Sequence, residues 1–351
     1  MRQSVDRPVA LKLAETAPTP DRLNRPLREL RVSVIDRCNF RCTYCMPLGS
    51  MKGRGSFLPL EKLLTDHEVV NLVRAFVGLG VRKVRLTGGE PLIRPGFPAL
   101  VEQLAAIPEL DDIALTTNGV MLTRLADDLA KAGLGRITVS LDTLDQGILD
   151  QISGGKAKLD QVFAGIEAAE DAGFEQIKIN TVVQRGVNDH TILDLVEHFR
   201  GTKHPVRLIE YMDVGNSNHW SAEDVVPSAE WVKEINARWP IETLESHNPA
   251  ETARRYRYLD GQGEIGFISS ITQPFCGGCT RARITADGIL YTCLFSNQGT
   301  NLMPLIRHAE NPADLQRRIH EVWTTRDDRY SEERGQPGHD QSKVEMYRLG
   351  G

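Results

Sequence analysis

The stretch 31-RVSVIDRCNFRCTYC-45 sets a short β-branched run directly before Cys38, Cys42 and Cys45, which are separated by three residues and then by two. The run reads as a buried strand and the cysteines as a tight loop leaving its end. Runs of the same character recur at 83-KVRLT, 113-IALTT, 136-RITVSL, 177-IKINTVV and 206-VRLIEY. Between and after them, 66-DHEVVNLVRAFVGLG, 97-FPALVEQLAAI, 124-RLADDLAKAGLG, 159-LDQVFAGIEAAEDAG, 191-TILDLVEHFRG and 228-SAEWVKEINARW carry apolar residues at helical spacing. Gly80, Gly133, Gly173 and Gly201 stand where left-handed helix ends are wanted.

This alternation predicts an α/β fold with a parallel sheet and right-handed crossovers. Six units are too few for a closed eight-stranded barrel, which leaves an open three-quarter β/α barrel or a doubly wound sheet. Either would bind ligands at the C-terminal ends of its strands. Residues 1–30, with Pro8, Pro18, Pro20 and Pro26, read as a flexible or surface-wrapped arm, and 31–240 as the β/α unit. Residues 241–351 form a smaller C-terminal region, in which 254-RRYRYLDGQGEIGFISSI reads as a hairpin around Asp260 and Gly261. Gly261, Gly263 and Gly266 match GxGxxG, but no helical pattern follows, so no dinucleotide site is expected there.

The chain has 351 residues, 40% hydrophobic and 25% charged, with a formal net charge of −5. That balance gives no electrostatic reason to expect a nucleic-acid or acidic-membrane partner, so an anionic ligand must be met by local basic residues. No run approaches membrane-spanning length and the N-terminus lacks a signal peptide's apolar stretch. A cytoplasmic location is expected, where clustered thiols more often bind metal than pair with one another.

The six cysteines fall into two groups of three, the second being Cys276, Cys279 and Cys293. A structural zinc normally takes four ligands, whereas a [4Fe–4S] cube held by three cysteines leaves one iron open. Zinc completed by a distant residue remains the alternative at each group. After Cys279, Arg281 and Arg283 lie two apart, on one side of an extended segment, and suit bidentate contact with phosphate oxygens.

CxxxCxxC with Tyr44 before its last cysteine, followed by 86-LTGGEPL, resembles the radical S-adenosylmethionine superfamily. Adding CGGC…C, the Arg281–Arg283 pair and the terminal Gly350-Gly351, the chain from Arg31 onward resembles the GTP 3′,8-cyclase (molybdenum cofactor biosynthesis protein A) family. The resemblance implies two [4Fe–4S] clusters and S-adenosylmethionine, with Tyr44, Gly89, Ser140 and Met212 as cofactor contacts. It implies GTP held by Arg31, Arg85, Thr116, Lys178, Arg281 and Arg283, with guanine at the open iron of the second cluster. A 5′-deoxyadenosyl radical would abstract the ribose 3′-hydrogen, and the sugar radical would attack C8 to give (8S)-3′,8-cyclo-7,8-dihydroguanosine 5′-triphosphate, the first step of molybdopterin biosynthesis. Gly350 and Gly351 would enter the catalytic pocket, where only glycine fits.

As partners the resemblance implies a reducing electron donor and, downstream, cyclic pyranopterin monophosphate synthase; a homodimer is compatible with it. Ile35, where Thr is expected, and Gly96, where an acidic residue is common, depart from the family pattern without touching a motif residue. A radical peptide-modifying enzyme with an auxiliary cluster and a non-catalytic zinc scaffold are the rival readings. Peptide-modifying relatives usually carry more cysteines and need no arginine pair.

Overall fold

The computed structural model describes residues 18–47, 57–246, 250–335 and 343–350. The six expected strands are β1 (Glu29–Ser33), β2 (Lys83–Thr87), β3 (Asp112–Thr117), β4 (Arg136–Ser140), β5 (Ile177–Val183) and β6 (Val206–Glu210). They pair in sequence order, each parallel to the next. Their connections carry α1 (Asp66–Val77), α2 (Phe97–Ala105), α3 (Leu122–Lys131), α4 (Gln146–Ser153), α5 (Leu159–Asp171) and α6 (Ile192–Phe199); α7 (Ser228–Arg238) follows β6. The four glycines expected past helix ends all take positive φ. Helix α4 is not apparent from the sequence pattern; Asp145 caps it by accepting from the Ile148 amide.

The C-terminal strands are β7 (Ile241–Thr243), β8 (Arg254–Tyr258), β9 (Glu264–Ile268), β10 (Arg281–Ile284), β11 (Ile289–Tyr291) and β12 (Thr300–Asn301). Strands β8 and β9 are the expected antiparallel hairpin. All twelve strands form one sheet, in the order β12-β11-β10-β1-β2-β3-β4-β5-β6-β9-β8-β7. Strand β9 lies parallel to β6 and β10 parallel to β1, so the C-terminal region extends the sheet at both sides. Helices α8 (Met303–His308), α9 (Pro312–Thr324), α10 (Tyr330–Glu333) and α11 (Met346–Leu349) complete the described chain. Leu30, Val84, Leu115 and Ile137 pack beneath α1 to α3 in one continuous core.

From Pro18 onward the arm, read from the sequence as flexible or surface-wrapped, packs against the fold. Leu27 is fully buried, and Asp21 and Arg25 are nearly so. The Thr19 amide donates to the Leu79 carbonyl and the Leu27 amide to the Thr19 carbonyl. Proline content suggested a loop, but an internal ion pair lets this irregular segment be buried.

Candidate active site

The loop carrying Cys38, Cys42 and Cys45 leaves the C-terminal end of β1. Beyond the strands, the Gly89 amide donates to the Ile35 carbonyl and the Glu90 amide to the Arg37 carbonyl, 2.8 Å each. A Cβ on Gly89 would collide with the Arg37 carbonyl, so the Gly-Gly segment lets β2 run close against the cysteine loop. On its other side the loop rests on α4. Arg41 and Thr43 amides donate to the Ser153 and Ile152 carbonyls, and Phe40 packs with Leu149 and Ala157. The Tyr44 hydroxyl donates to Asp142 at 2.8 Å, just past β4, and burial pushes the Asp142 carboxyl up to about 6. Burial likewise raises Glu90 to about 7, against three donors from Leu92, Thr117 and Asn118.

Cys276 and Cys279 precede β10, and Cys293 follows β11. Because β10 runs parallel to β1, this group sits off the N-terminal rim, opposite the first. That differs from the expectation that ligands gather at the C-terminal ends alone. Both groups line one cavity of about 1240 Å³, together with Tyr44, Gly89, Ser140 and Met212. All six thiols are free and half-buried. Burial would raise the Cys279 thiol, but Arg281 and Arg326 outweigh it and bring it down to about 6. Burial pushes Cys38 up to about 11 and Cys293 to about 12.

Between the two rims the strand register builds a basic wall. Arg283, Arg31 and Arg85 are direct neighbours across β10, β1 and β2; two residues earlier come Arg281, Glu29 and Lys83. In-register residues share a face, so these side chains project together into the cavity. The Arg85 guanidinium reaches Thr116 at 3.2 Å and Thr138 at 3.3 Å. Lys178 and Arg207 continue the wall from β5 and β6. Burial, reinforced by repulsion from neighbouring cations, lowers Arg207 to about 10 and Lys178 to about 7. Burial would raise Glu29, but Arg31, Lys83 and Arg85 hold it well below the usual carboxylate range.

Every cofactor and substrate residue expected from the sequence therefore lines this cavity. Sequence reasoning passed over Lys83, Arg136 and Arg207, which line it too. The available signal was two-residue spacing, since Lys83 stands two before Arg85 and Arg136 two before Thr138. Gly350 is near the wall: its carbonyl accepts from Arg283 at 2.7 Å, and a Cβ there would collide with the Thr87 side chain. Gly351 lies outside the described residues.

The residues fit a sulfur-bound cluster and a polar cofactor. Cys38, Cys42 and Cys45 line the same cavity, although among the described residues no three metal-ligating side chains are gathered closely enough to hold a single ion; the Phe40 amide points at the Cys38 sulfur at 3.3 Å, and the buried Asn180 Oδ1, on a cavity-lining residue, has no partner among the described residues. Among those residues no helix is long and apolar enough to cross a membrane.

Residues 32–199 match the radical SAM superfamily and 204–332 match Molybdenum Cofactor Synthesis C. A GTP 3′,8-cyclase from Xanthomonas campestris pv. campestris (strain B100) is 51% identical over 335 residues, covering 95% of this chain and 98% of that protein. One from Acidothermus cellulolyticus is 50% identical over 90% of this chain and 89% of its own. Among solved structures, Streptococcus suis SuiB bound to S-adenosylmethionine superposes with a TM-score of 0.61 at 15% identity, over 93% of this chain and 78% of that one, a likeness of fold. On the identity it shares with those relatives along nearly its whole length, the chain belongs to the GTP 3′,8-cyclase family of radical SAM enzymes.

Proposed function

We propose that this chain converts GTP to (8S)-3′,8-cyclo-7,8-dihydroguanosine 5′-triphosphate, the first step of molybdenum cofactor biosynthesis. The observation that carries the reading is the shared cavity: two cysteine triads at opposite rims with a basic wall between them. When bound, a [4Fe–4S] cluster on Cys38, Cys42 and Cys45 together with S-adenosylmethionine supplies a 5′-deoxyadenosyl radical. Tyr44, Gly89, Ser140 and Met212 hold that cofactor against the rim formed by the ends of β1, β2, β4 and β6.

The triphosphate lies along Arg31, Arg85, Lys178, Arg281 and Arg283, with Lys83 and Arg207 beside them and Thr116 fixing the Arg85 guanidinium. Planar guanidinium groups grip phosphate oxygens through paired donors, which sets the nucleotide's orientation as well as its affinity. Cys276, Cys279 and Cys293 would hold a second [4Fe–4S] cluster, whose open iron would offer a binding point for the guanine. Two anchored ends leave the ribose between them with little freedom, the near-attack requirement of a cyclisation. Gly350 closes the wall beside Arg283.

In this reading residues 31–240 form an incomplete six-unit β/α barrel for the radical chemistry, and 241–351 carry the second centre and the tail. A reducing electron donor, a cytoplasmic setting and a downstream pyranopterin synthase belong to the same reading. The likeness to SuiB concerns fold and gives the peptide-modifying alternative no support of its own. Anaerobically reconstituted protein given dithionite, S-adenosylmethionine and GTP is expected to form the cyclised nucleotide. Production of 5′-deoxyadenosine without it would contradict GTP as the substrate.

A further inference from the structure

The segment 18–28 reaches under the second cysteine group through a buried ionic brace. Arg25 Nε donates to Asp21 Oδ2 at 2.6 Å, and Arg326 Nη1 donates to the same oxygen at 3.2 Å. Each guanidinium also takes a carbonyl of the cysteine loop: Arg25 Nη1 holds Cys276 O at 3.0 Å, and Arg326 Nη1 holds Cys279 O at 2.8 Å. Arg25 Nη1 further takes the Asp328 carbonyl at 2.7 Å, and Arg326 Nε the Asp328 carboxylate at 3.2 Å. The Asp21, Arg25 and Arg326 side chains are 0%, 2% and 1% exposed, so water screens the two Asp21 contacts little. Arg25 Nη2 is buried without a partner among the described residues.

Buried charges need close geometry to offset their desolvation, and such networks are retained where they fix a conformation. What this one fixes is the peptide on either side of Gly277-Gly278, a turn that glycine would otherwise leave loose. The charges also lie at the base of the thiols. Two guanidiniums face the Asp21 and Asp328 carboxylates, and removing one member unbalances the set by a full charge.

Resting on the reading of Cys276, Cys279 and Cys293 as cluster ligands, we propose that Asp21, Arg25 and Arg326 are positioning residues for the second centre. They hold its cysteine loop in shape and set its reduction potential, which responds to nearby charge. Reduction adds negative charge, so loss of a neighbouring cation makes it harder and loss of a neighbouring anion makes it easier.

The test uses the full chain carrying Cys38→Ala, Cys42→Ala and Cys45→Ala, in which the second centre alone gives a signal. Redox titration followed by electron paramagnetic resonance is expected to show a more negative potential for Arg25→Gln and a less negative one for Asp21→Asn. Arg25→Lys, which keeps the charge, stays near the parent potential but loses iron faster to a chelator. Potentials that do not move, or that both move the same way, overturn the brace while leaving the second centre standing. A parent that binds no iron overturns the second centre and the brace with it; one that binds about four irons separates the two questions. Should the triple substitution fail to fold, Arg25→Gln in the otherwise native chain is expected to release about four of its roughly eight irons to a chelator faster than the parent does. Release at the parent's rate there counts against the brace.

Discussion

Gly350 and Lys178 show how single residues carry the account. At Gly350 the backbone has φ 71° and a Cβ would strike Thr87, so both conformation and space demand glycine. Gly350→Ala is expected to cut cyclisation roughly a hundredfold, the scale of an ångström-level misplacement, with iron content unchanged. Full activity in that variant would detach the tail from catalysis. Lys178 is lowered to about 7 by burial and by Arg207, Arg136, Arg85 and Lys83, so in the free protein it is charged below that pH and neutral above it. A bound triphosphate favours the charged ammonium. GTP binding should therefore take up a proton and weaken as pH rises above about 7, with Lys178→Arg flattening the dependence. Calorimetry in buffers of different ionisation enthalpy reads the proton directly, and an absence of linkage would remove Lys178 from the phosphate site.

Among the elements, α4 is the clearest case of structure hidden from the sequence. Gln146–Ser153 contains Gly147 and buries only Leu149, Ile152 and Ser153, too short a pattern to stand out from its surroundings. Its importance comes from contact with the first cysteine loop through Phe40 and two backbone hydrogen bonds. Asp145→Ala should cost about 1 kcal/mol by removing the cap. Leu149→Ala should cost about 2–5 kcal/mol through the space left beneath Phe40. Denaturant melts check both, and Leu149→Ala should also speed iron loss from the first group. The strands β1 to β6, by contrast, were readable because β-branched runs alternate with helical spacing, a signal local to each segment. The partners of β10 were not, because its pairing with β1 joins residues some 250 positions apart.

At the scale of the molecule, the same non-local pairing explains what the sequence hid about the site. The candidate residues that line the cavity were legible as motifs, but the second cysteine group was not placeable at the N-terminal rim until β10 was seen lying parallel to β1. The buried brace from residues 18–28 was hidden for the same reason, since proline content is visible in a sequence and a distant ionic partner is not. A chain ended at residue 240 loses β9 from β6 and β10 from β1, leaving two edge strands of five residues each unpaired. It is expected to aggregate in size-exclusion chromatography, and a soluble, cooperatively melting fragment would show that the C-terminal strands are dispensable to the fold.

Both three-cysteine groups face one cavity, and each is proposed to hold an iron–sulfur cluster. Metal analysis of anaerobically purified full-length protein tests it most directly. The account predicts about eight irons per chain and no zinc. Stoichiometric zinc without visible charge-transfer absorption would contradict it.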